Sequence, residues 1–268
     1  MGPEHGQPKK WSRCLHQILT RLRDSSPGVT YDDVEKMQKS LPEPFNAIRQ
    51  QQDVAELLIQ LLDSASQWIQ GKTIKKMQCA WCNHKLIENK DDKFEIYPLP
   101  INNDAIGQTD SLVEALRRQC DAEFLEGDHP YRCTECSNSI LKATQTTTFT
   151  SLPSFWFISL NTFNYDPFHG TSSKIMIPVS TPEVMTFNKD SFRLIAVIVH
   201  VGTSLRMGHY MTYFNDADCE LPKTTWFLAD DAEVNMVPDV SIQVFLTGKW
   251  PDRQTPYVLL YKKITNTI

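Results

Sequence analysis

The chain has 268 residues, of which 41% are hydrophobic and 22% are charged, and it carries a formal net charge of −5 with a pI of about 5.8. This composition is typical of a globular protein and excludes collagen-like, coiled-coil and low-complexity chains. No apolar run approaches the roughly 20 residues of a membrane span, and the first residues show no signal-peptide core. Phosphate binding needs a basic surface, which the acidic balance does not favour. We therefore expect no nucleic acid and no membrane among the partners.

Apolar spacing predicts helices in the first 70 residues. The first begins near Trp11 and repeats apolar residues every three or four positions as far as Leu22. The second begins at Thr30, which forms an imperfect capping box with Asp33. Its inner face is expected to carry Val34, Met37 and Leu41.

The third predicted helix has an apolar stripe over about four turns and stops at Gly71. The stripe contains Val54, Leu57, Leu58, Leu61, Leu62, Ala65, Trp68 and Ile69. Strands are predicted beyond it, interrupted by one helix that a capping box of Ser111 and Glu114 opens. The predicted strands lie around 73–78, 93–99, 143–149, 155–160, 192–201, 209–214, 225–228 and 256–262. Helices, then a cysteine-bearing β insertion, then a sheet predict an α+β fold.

Four of the seven cysteines form two C-x-x-C pairs, about 50 residues apart in the chain. The pairs are Cys79 with Cys82, and Cys133 with Cys136. Such pairs present four thiolates to one tetrahedral ion and leave no open position, so the pattern predicts a structural Zn²⁺. The alternatives are four unconnected thiols or a redox pair, and His84 is a competing ligand. Without a secretion signal, a reducing compartment is expected, in the cytoplasm or the nucleus.

A second constellation combines a histidine with two acids. Gly208 and His209 open one predicted strand, and Asp230 and Asp231 end the next. Neighbouring strands can bring an acid to the imidazole, which would then act as a general base, and the glycine would allow close approach to that ring. The alternatives are a packing or surface histidine and two turn-forming acids. His200, inside its strand, is interpreted as structural.

Taken in order, these segments resemble the ubiquitin-specific protease family of cysteine deubiquitinases. The blocks that carry the resemblance are Gln51–Asp63, the two cysteine pairs, Leu125–Cys133, Ser151–Leu160, Val199–Tyr210, Trp226–Asp231 and Pro256–Tyr261. They cover about residues 11–263, and their joint order is more specific than any single motif. The resemblance implies one domain over 1–268 with a papain-like cysteine protease fold. Its parts would be a helical thumb (about 11–70), zinc-bearing β fingers (71–150) and a β palm (151–268).

The resemblance also implies roles for individual residues and a partner, which is ubiquitin or a ubiquitin-like modifier. His209 would be the general base and Asp230 its orienting acid, with Asp231 adjacent. The residues implied to receive the tail of the modifier are Asp53, Glu56 and Gln51. Carboxylates suit the arginines of such a tail, although an acid at position 53 also suits the N-terminus of a helix.

The family's nucleophile block, which resembles Gly-Asn-Thr-Cys-Tyr-Met-Asn-Ser, does not occur in the 268 residues. Cys14 is interpreted as a core residue of the first helix, and acids near Cys120 and Cys219 would raise a thiol pKa. The chain is then a fragment or N-terminally alternative form of a protease, or a pseudoprotease that binds a modifier. Its length and the segment Val199–Gly202 also resemble the branch that acts on the interferon-induced modifier.

Overall fold

The structure is a computed structural model that describes residues 10–24, 29–47, 50–62, 66–101, 109–133, 135–136, 139–166, 169–175, 177–204, 207–215 and 225–265. The chain divides into two compact units, Met1–Ser64 and Ala65–Ile268, and each is described by itself. The boundaries of the thumb, fingers and palm within one domain stay a prediction. Among the described residues, no helix has the length and apolar character needed to cross a membrane.

The first unit is helical in its described part. Its helices are α1 (Lys10–Asp24), α2 (Tyr31–Ser40) and α3 (Val54–Leu62). Trp11 is buried with Leu41 and Phe45 in a small core. The predicted capping box at the start of α2 is present, since the hydroxyl of Thr30 accepts from the backbone of Asp33 and the carboxylate of Asp33 accepts in return.

Two side chains predicted to face the core are exposed. Val34 is 47% exposed, because Leu41 and Phe45, which follow α2, fill the small core instead. Trp68 is 53% exposed in the single turn of α4 (Ser66–Ile69), in which Ile69 is buried. Ala65, also assigned to the stripe, lies outside the described residues.

The second unit contains the strands. They are β1 (Gly71–Cys79), β2 (Lys85–Phe94), β3 (Ile96–Pro100), β4 (Asp110–Ser111), β5 (Glu123–Arg132), β6 (Ser139–Ser151), β7 (Phe155–Asn161), β8 (Phe163–Asp166), β9 (Thr171–Lys174), β10 (Val179–Ser180), β11 (Val184–Phe187), β12 (Asp190–Val201), β13 (His209–Asn215), β14 (Trp226–Asp230), β15 (Glu233–Val237) and β16 (Gln254–Lys263). The helices that accompany α4 here are α5 (Leu112–Arg118) and α6 (Asp239–Leu246).

One sheet, called the finger sheet below, has the antiparallel order β2-β1-β6-β5. The turn after β1 and the turn between β5 and β6 carry the two cysteine pairs. The strand predicted around 93–99 is divided at Glu95. The division has a topological reason: β2 pairs with β1 in the finger sheet, whereas β3 runs parallel to β7 in the other large sheet.

That second sheet, called the palm sheet, has the order β15-β14-β13-β12-β16-β7-β3, with β11 pairing to β12. Its central strands bury the largest side chains of the unit, including Trp156, Tyr261 and Phe192, each with no exposed surface. The strands predicted from 155 onward are therefore present, and the predicted α+β architecture is confirmed. Sequence reasoning missed α6, although Pro238 followed by Asp239 is a usual start for a helix.

The capping box predicted at Ser111 is absent, although helix α5 begins there. The Ser111 side chain makes no cap hydrogen bond, and Glu114 pairs with Arg117 instead. Asp110 accepts from the backbone N–H of Ser111 at 2.8 Å and from the two guanidinium nitrogens of Arg118 at 2.6 and 3.1 Å. The helix is thus fixed by an ion pair with Asp110.

Candidate active site and metal centre

His209 and Asp230 meet at one end of the palm sheet. His209 is the first residue of β13 and Asp230 is the last residue of β14, and these strands are antiparallel neighbours. The pairing brings Nε2 of His209 to 2.6 Å from Oδ1 of Asp230. The side chains are 43% and 44% exposed, so the pair faces solvent at the edge of the sheet.

The geometry assigns the protons of the imidazole. An ionised carboxylate only accepts hydrogen bonds, so Nε2 of His209 carries the hydrogen that points at Asp230. In the neutral ring, Nδ1 then has the lone pair and can take a proton. This is the arrangement of an oriented general base.

Asp231 lies next to this pair, and its carboxylate is within 4.8 Å of both partners. The residue is exposed and takes a left-handed conformation, with φ of 51°, in the turn between β14 and β15. Asp231 thus combines the turn role and the proximity to the histidine that the sequence left as alternatives.

Gly208, the residue before His209, packs against the ring of His200. A Cβ added to Gly208 would stand 2.0 Å from Nε2 of His200 and 2.8 Å from the carbonyl oxygen of Val201. His200 is buried in β12, as expected of a structural residue. Gly208 therefore makes room for the ring of His200, and its predicted role in allowing close approach to His209 stays a prediction.

The four paired cysteines form one cluster. Their sulfur atoms all lie within 4.8 Å of one another. Sγ of Cys82 is 3.5 Å from Sγ of Cys133, and Sγ of Cys79 is 3.9 Å from Sγ of Cys136. Tetrahedral zinc with Zn–S distances of about 2.3 Å separates its sulfur ligands by about 3.8 Å, so the residues fit this ion.

Backbone donors around the cluster favour thiolates. Burial opposes ionisation of Cys79, but the N–H groups of Cys82 and Trp81 donate to its sulfur at 3.4 and 3.3 Å and lower its pKa to about 7. At Cys82 the N–H of His84 also favours the thiolate, yet burial and the thiol of Cys133 raise its pKa to about 12. One thiol therefore ionises readily while its neighbour keeps a proton, which a cation would replace. His84 takes part through its carbonyl, which accepts from the backbone N–H of Cys79.

The residues assigned to the modifier tail lie in the first unit. Oδ1 of Asp53 accepts from the backbone N–H groups of Ala55 and Glu56, at 2.7 and 3.1 Å, and thus caps helix α3. The capping interpretation of Asp53 is therefore correct in geometry. Glu56 and Gln51 are exposed, with the acid on the first turn of the helix.

The cysteines outside the cluster show no feature of a reactive nucleophile in the described residues. Burial and the neighbouring Asp121 raise the pKa of Cys120, which disfavours the reactive thiolate. Cys14 is half-buried on α1 and does not belong to the small core of its unit. Cys219 lies outside the described residues.

Sequence reasoning missed Lys174. Its ammonium contacts His200 and Gly202, on either side of Val201, the residue that pairs with His209 in the sheet. Lys174 precedes His200 by 26 residues and belongs to a short hairpin without a motif, so only the folded chain reveals the contact.

Three comparisons with known proteins bear on the chain. The sequence model of the ubiquitin carboxyl-terminal hydrolase family matches residues 4–261. Ubiquitin carboxyl-terminal hydrolase 13 of Saccharomyces cerevisiae is 27% identical over 206 residues, which are 74% of this chain and 26% of that protein. Ubiquitin carboxyl-terminal hydrolase 15 of Arabidopsis thaliana is 30% identical over 182 residues, 63% of this chain and 18% of that protein. The chain thus spans about a quarter or less of these relatives.

A solved structure of the SAGA DUB module bound to monoubiquitin is similar with a TM-score of 0.74. The match covers 96% of this chain and 59% of that chain at 18% identity. It confirms the predicted fold, which is that of a ubiquitin-specific protease catalytic domain. Together with the family match over residues 4–261, these findings establish that the chain belongs to the ubiquitin carboxyl-terminal hydrolase family.

Proposed function

We propose that this chain binds ubiquitin and supplies the base and the orienting acid of a cysteine-type deubiquitinase site. The observation that carries the proposal is the 2.6 Å contact between Nε2 of His209 and Oδ1 of Asp230. Membership of the family supports it, as does the structural neighbour, which is bound to monoubiquitin.

The proposed reaction uses Nδ1 of His209 as its base. Nδ1 takes the proton of a cysteine thiol, and Asp230 stabilises the imidazolium that forms. The thiolate attacks the carbonyl carbon of the isopeptide bond at the modifier's C-terminus. The imidazolium then returns its proton to the leaving lysine amine, and water hydrolyses the thioester. The proposed nucleophile belongs to a block of the Gly-Asn-Thr-Cys type outside these 268 residues.

Recognition of the modifier tail is assigned to the start of α3. Glu56 is exposed there and offers its carboxylate to an arginine, the strongest pairing available to that cation. Asp53 also adds negative charge, while its Oδ1 caps the helix. Gln51 is the proposed polar donor for the tail or the oxyanion, since its side chain is exposed beside the start of α3.

In this proposal the four cysteines hold structural zinc. The donor set leaves no open position, so Zn²⁺ would tie the two turns of the finger sheet together and would not touch the substrate.

Titration of the chain with ubiquitin tests the binding step. Saturable binding is expected, and Glu56→Gln weakens it roughly tenfold because one charge-assisted hydrogen bond is lost. Glu43→Gln, an exposed change in the same unit, is the matched control and leaves binding unchanged. A chain that does not bind ubiquitin contradicts the proposal.

A ubiquitin probe with an electrophilic C-terminus tests the chemistry. The chain alone is expected to give no covalent adduct, and an adduct is expected once a preceding family cysteine block is joined to it. His209→Ala in that longer protein then slows adduct formation by roughly 10³- to 10⁴-fold. Unchanged adduct formation in His209→Ala would remove this histidine from the mechanism.

A second candidate is a pseudoprotease that binds a modifier without cleaving it. The cysteines favour it: four form the thiol cluster, and burial raises the pKa of Cys120. Ubiquitin and the interferon-induced modifier are its two proposed partners, and parallel titrations separate them. An adduct formed after a cysteine block is restored decides in favour of the protease.

A further inference from the structure

Lys174 ends β9, the second strand of the hairpin that β8 begins. Its Nζ lies 2.6 Å from the carbonyl oxygen of Gly202, 3.3 Å from the carbonyl oxygen of His200 and 2.9 Å from Nδ1 of His200. An ammonium has three hydrogens and no acceptor, so these contacts use its whole hydrogen-bonding capacity. The three acceptors all belong to the end of β12 and the residue beyond it.

This contact fixes the state of the buried imidazole. Because Nζ only donates, Nδ1 of His200 must accept, and the neutral ring then carries its hydrogen on Nε2. Nε2 is the atom that faces Gly208, since a Cβ on that glycine would stand 2.0 Å from it. The ring of His200 therefore lies between Lys174 and the residue that precedes His209.

The backbone of His200 and Gly202 also bonds to residues at or just before the start of β16. The hydroxyl of Thr255 donates to the carbonyl of His200 at 3.2 Å, and the N–H of Gly202 donates to the carbonyl of Arg253 at 3.0 Å. In the sheet register Val201 stands opposite His209, so this stretch is the strand on which His209 is paired. Lys174 completes this support from a separate hairpin.

The hairpin is itself anchored. The N–H of Ile175, directly after Lys174, donates to the carbonyl of Thr162 at 2.6 Å, and Thr162 is buried. Burial also lowers the pKa of Lys174 to about 8. A partly desolvated ammonium gains more from good acceptors than an exposed one does. The lysine is therefore a fixed contact between two rigid segments.

We infer that Lys174 is a positioning residue for the proposed base. By contacting His200 and Gly202 it holds the β12 end of the connection to β13 and orients the ring of His200, which packs against Gly208 at the other end, and so keeps the ring of His209 in the orientation that Asp230 accepts. The inference rests on the proposed function, because it gives that orientation a catalytic purpose. Neither the family match nor the structural neighbour assigns a role to this lysine.

Nitrogen NMR of the chain alone tests the inference. The ring nitrogen shifts of His209, read through its carbon-bound protons, distinguish a fixed Nε2–H tautomer from the mixture found in a free imidazole. The native chain and the control Lys189→Met, an exposed change away from these contacts, are expected to show the fixed tautomer. Lys174→Met is expected to show the mixture, with amide exchange at Gly208 and His209 about tenfold faster.

A residue that only stabilised the fold would not change the tautomer. Fixed-tautomer shifts and exchange within about twofold of the native chain in Lys174→Met therefore overturn the inference. Lys174→Gln, which keeps two N–H donors without the charge, serves if the methionine variant does not fold, and a chain that folds with neither substitution also rejects a positioning role. No ubiquitin is present in this experiment, so failure of ubiquitin binding would be recorded separately.

Discussion

In the finger sheet, four thiols from two turns meet in a cluster whose Cys79 and Cys133 are each 1% exposed. At the end of the palm sheet, an imidazole and a carboxylate meet at 2.6 Å, and each is more than 40% exposed. Both sites join residues from neighbouring hairpins, yet the first, called the closed site, has two buried ligands beside the exposed Cys82, whereas both members of the second, called the open site, face solvent. A structural ligand set gains from exclusion of water, whereas a base must leave one nitrogen accessible to substrate. The difference predicts opposite responses to substitution.

The largest expected effect is loss of the closed site. Cys133→Ser removes a buried ligand, so the bound zinc should fall from one per chain to near zero, with a loss of roughly 3 kcal/mol or more of folding free energy. Metal analysis and urea unfolding measure the two quantities. Cys120→Ser, a cysteine outside the cluster, is the control and should keep its zinc. Full zinc content in Cys133→Ser would show that the cluster is not the metal site.

A smaller loss of folding stability is expected from a substitution at Gly208, the residue before His209. Gly208→Ala places a methyl group 2.0 Å from Nε2 of His200, so the ring or the backbone must shift, at a cost of about 1–3 kcal/mol. Thermal unfolding measures the cost. Gly170→Ala is the comparison, since nothing lies within 4 Å of its added Cβ and only its φ of 61° opposes the change. Because Gly208 does not have a left-handed φ, an effect at Gly208 no larger than a few tenths of a kcal/mol would mean that the ring of His200 does not require this glycine.

The pH dependence of stability sharpens the comparison further. Burial lowers the pKa of Lys174 from 10.5 to about 8, so between these values the unfolded chain binds more protons at this site than the folded chain does. The free energy of unfolding therefore rises with pH through this window because of this group. Lys174→Met lacks the contribution, so the difference between the native chain and the variant should shift in favour of the native chain from about pH 7 to pH 10. Urea unfolding across this range checks it, with Lys189→Met as the control expected to follow the native slope.

The smallest expected effect is at the open pair itself. Asp230→Asn removes an ion pair whose side chains are both well exposed, so stability should change by no more than about 0.5 kcal/mol. The variant should nevertheless lose the fixed tautomer of His209, which nitrogen NMR reads directly. A large destabilisation would show that the pair supports the fold, and would weaken the contrast with the cysteine cluster.

Local patterns predicted local structure well where one pair of residues decides the outcome. The capping box of Thr30 and Asp33 is present, and the guanidinium of Arg21 donates to the same Asp33 carboxylate at 2.7 Å without displacing it. The same pattern at Ser111 did not form a capping box, because the carboxylate of Asp110 accepts from the backbone N–H of Ser111 and also binds Arg118. A motif of four residues does not contain the ion pair that displaced it.

The candidate sites divide in the same way. The cysteine spacing and the order of the strand ends pointed to the thiol cluster and to the contact of His209 with Asp230. The contact of Lys174 with His200 depends on a hairpin folding back over another strand, and no spacing rule contains that information. The packing of Gly208 against the ring of His200 was likewise beyond sequence reasoning, because the two residues are brought together by the connection between two strands.

The separation of the two cysteine pairs has a consequence for biosynthesis. About 50 residues stand between Cys82 and Cys133. At ribosomal rates of about 5–20 residues per second, the second pair follows the first by roughly 3–10 seconds. During this interval the first turn has two of the four thiols, and the other two are added only when the second hairpin is synthesised. If the cluster holds zinc as proposed, complete coordination would follow synthesis of the second pair, and it would report that the two hairpins of the finger sheet have come together.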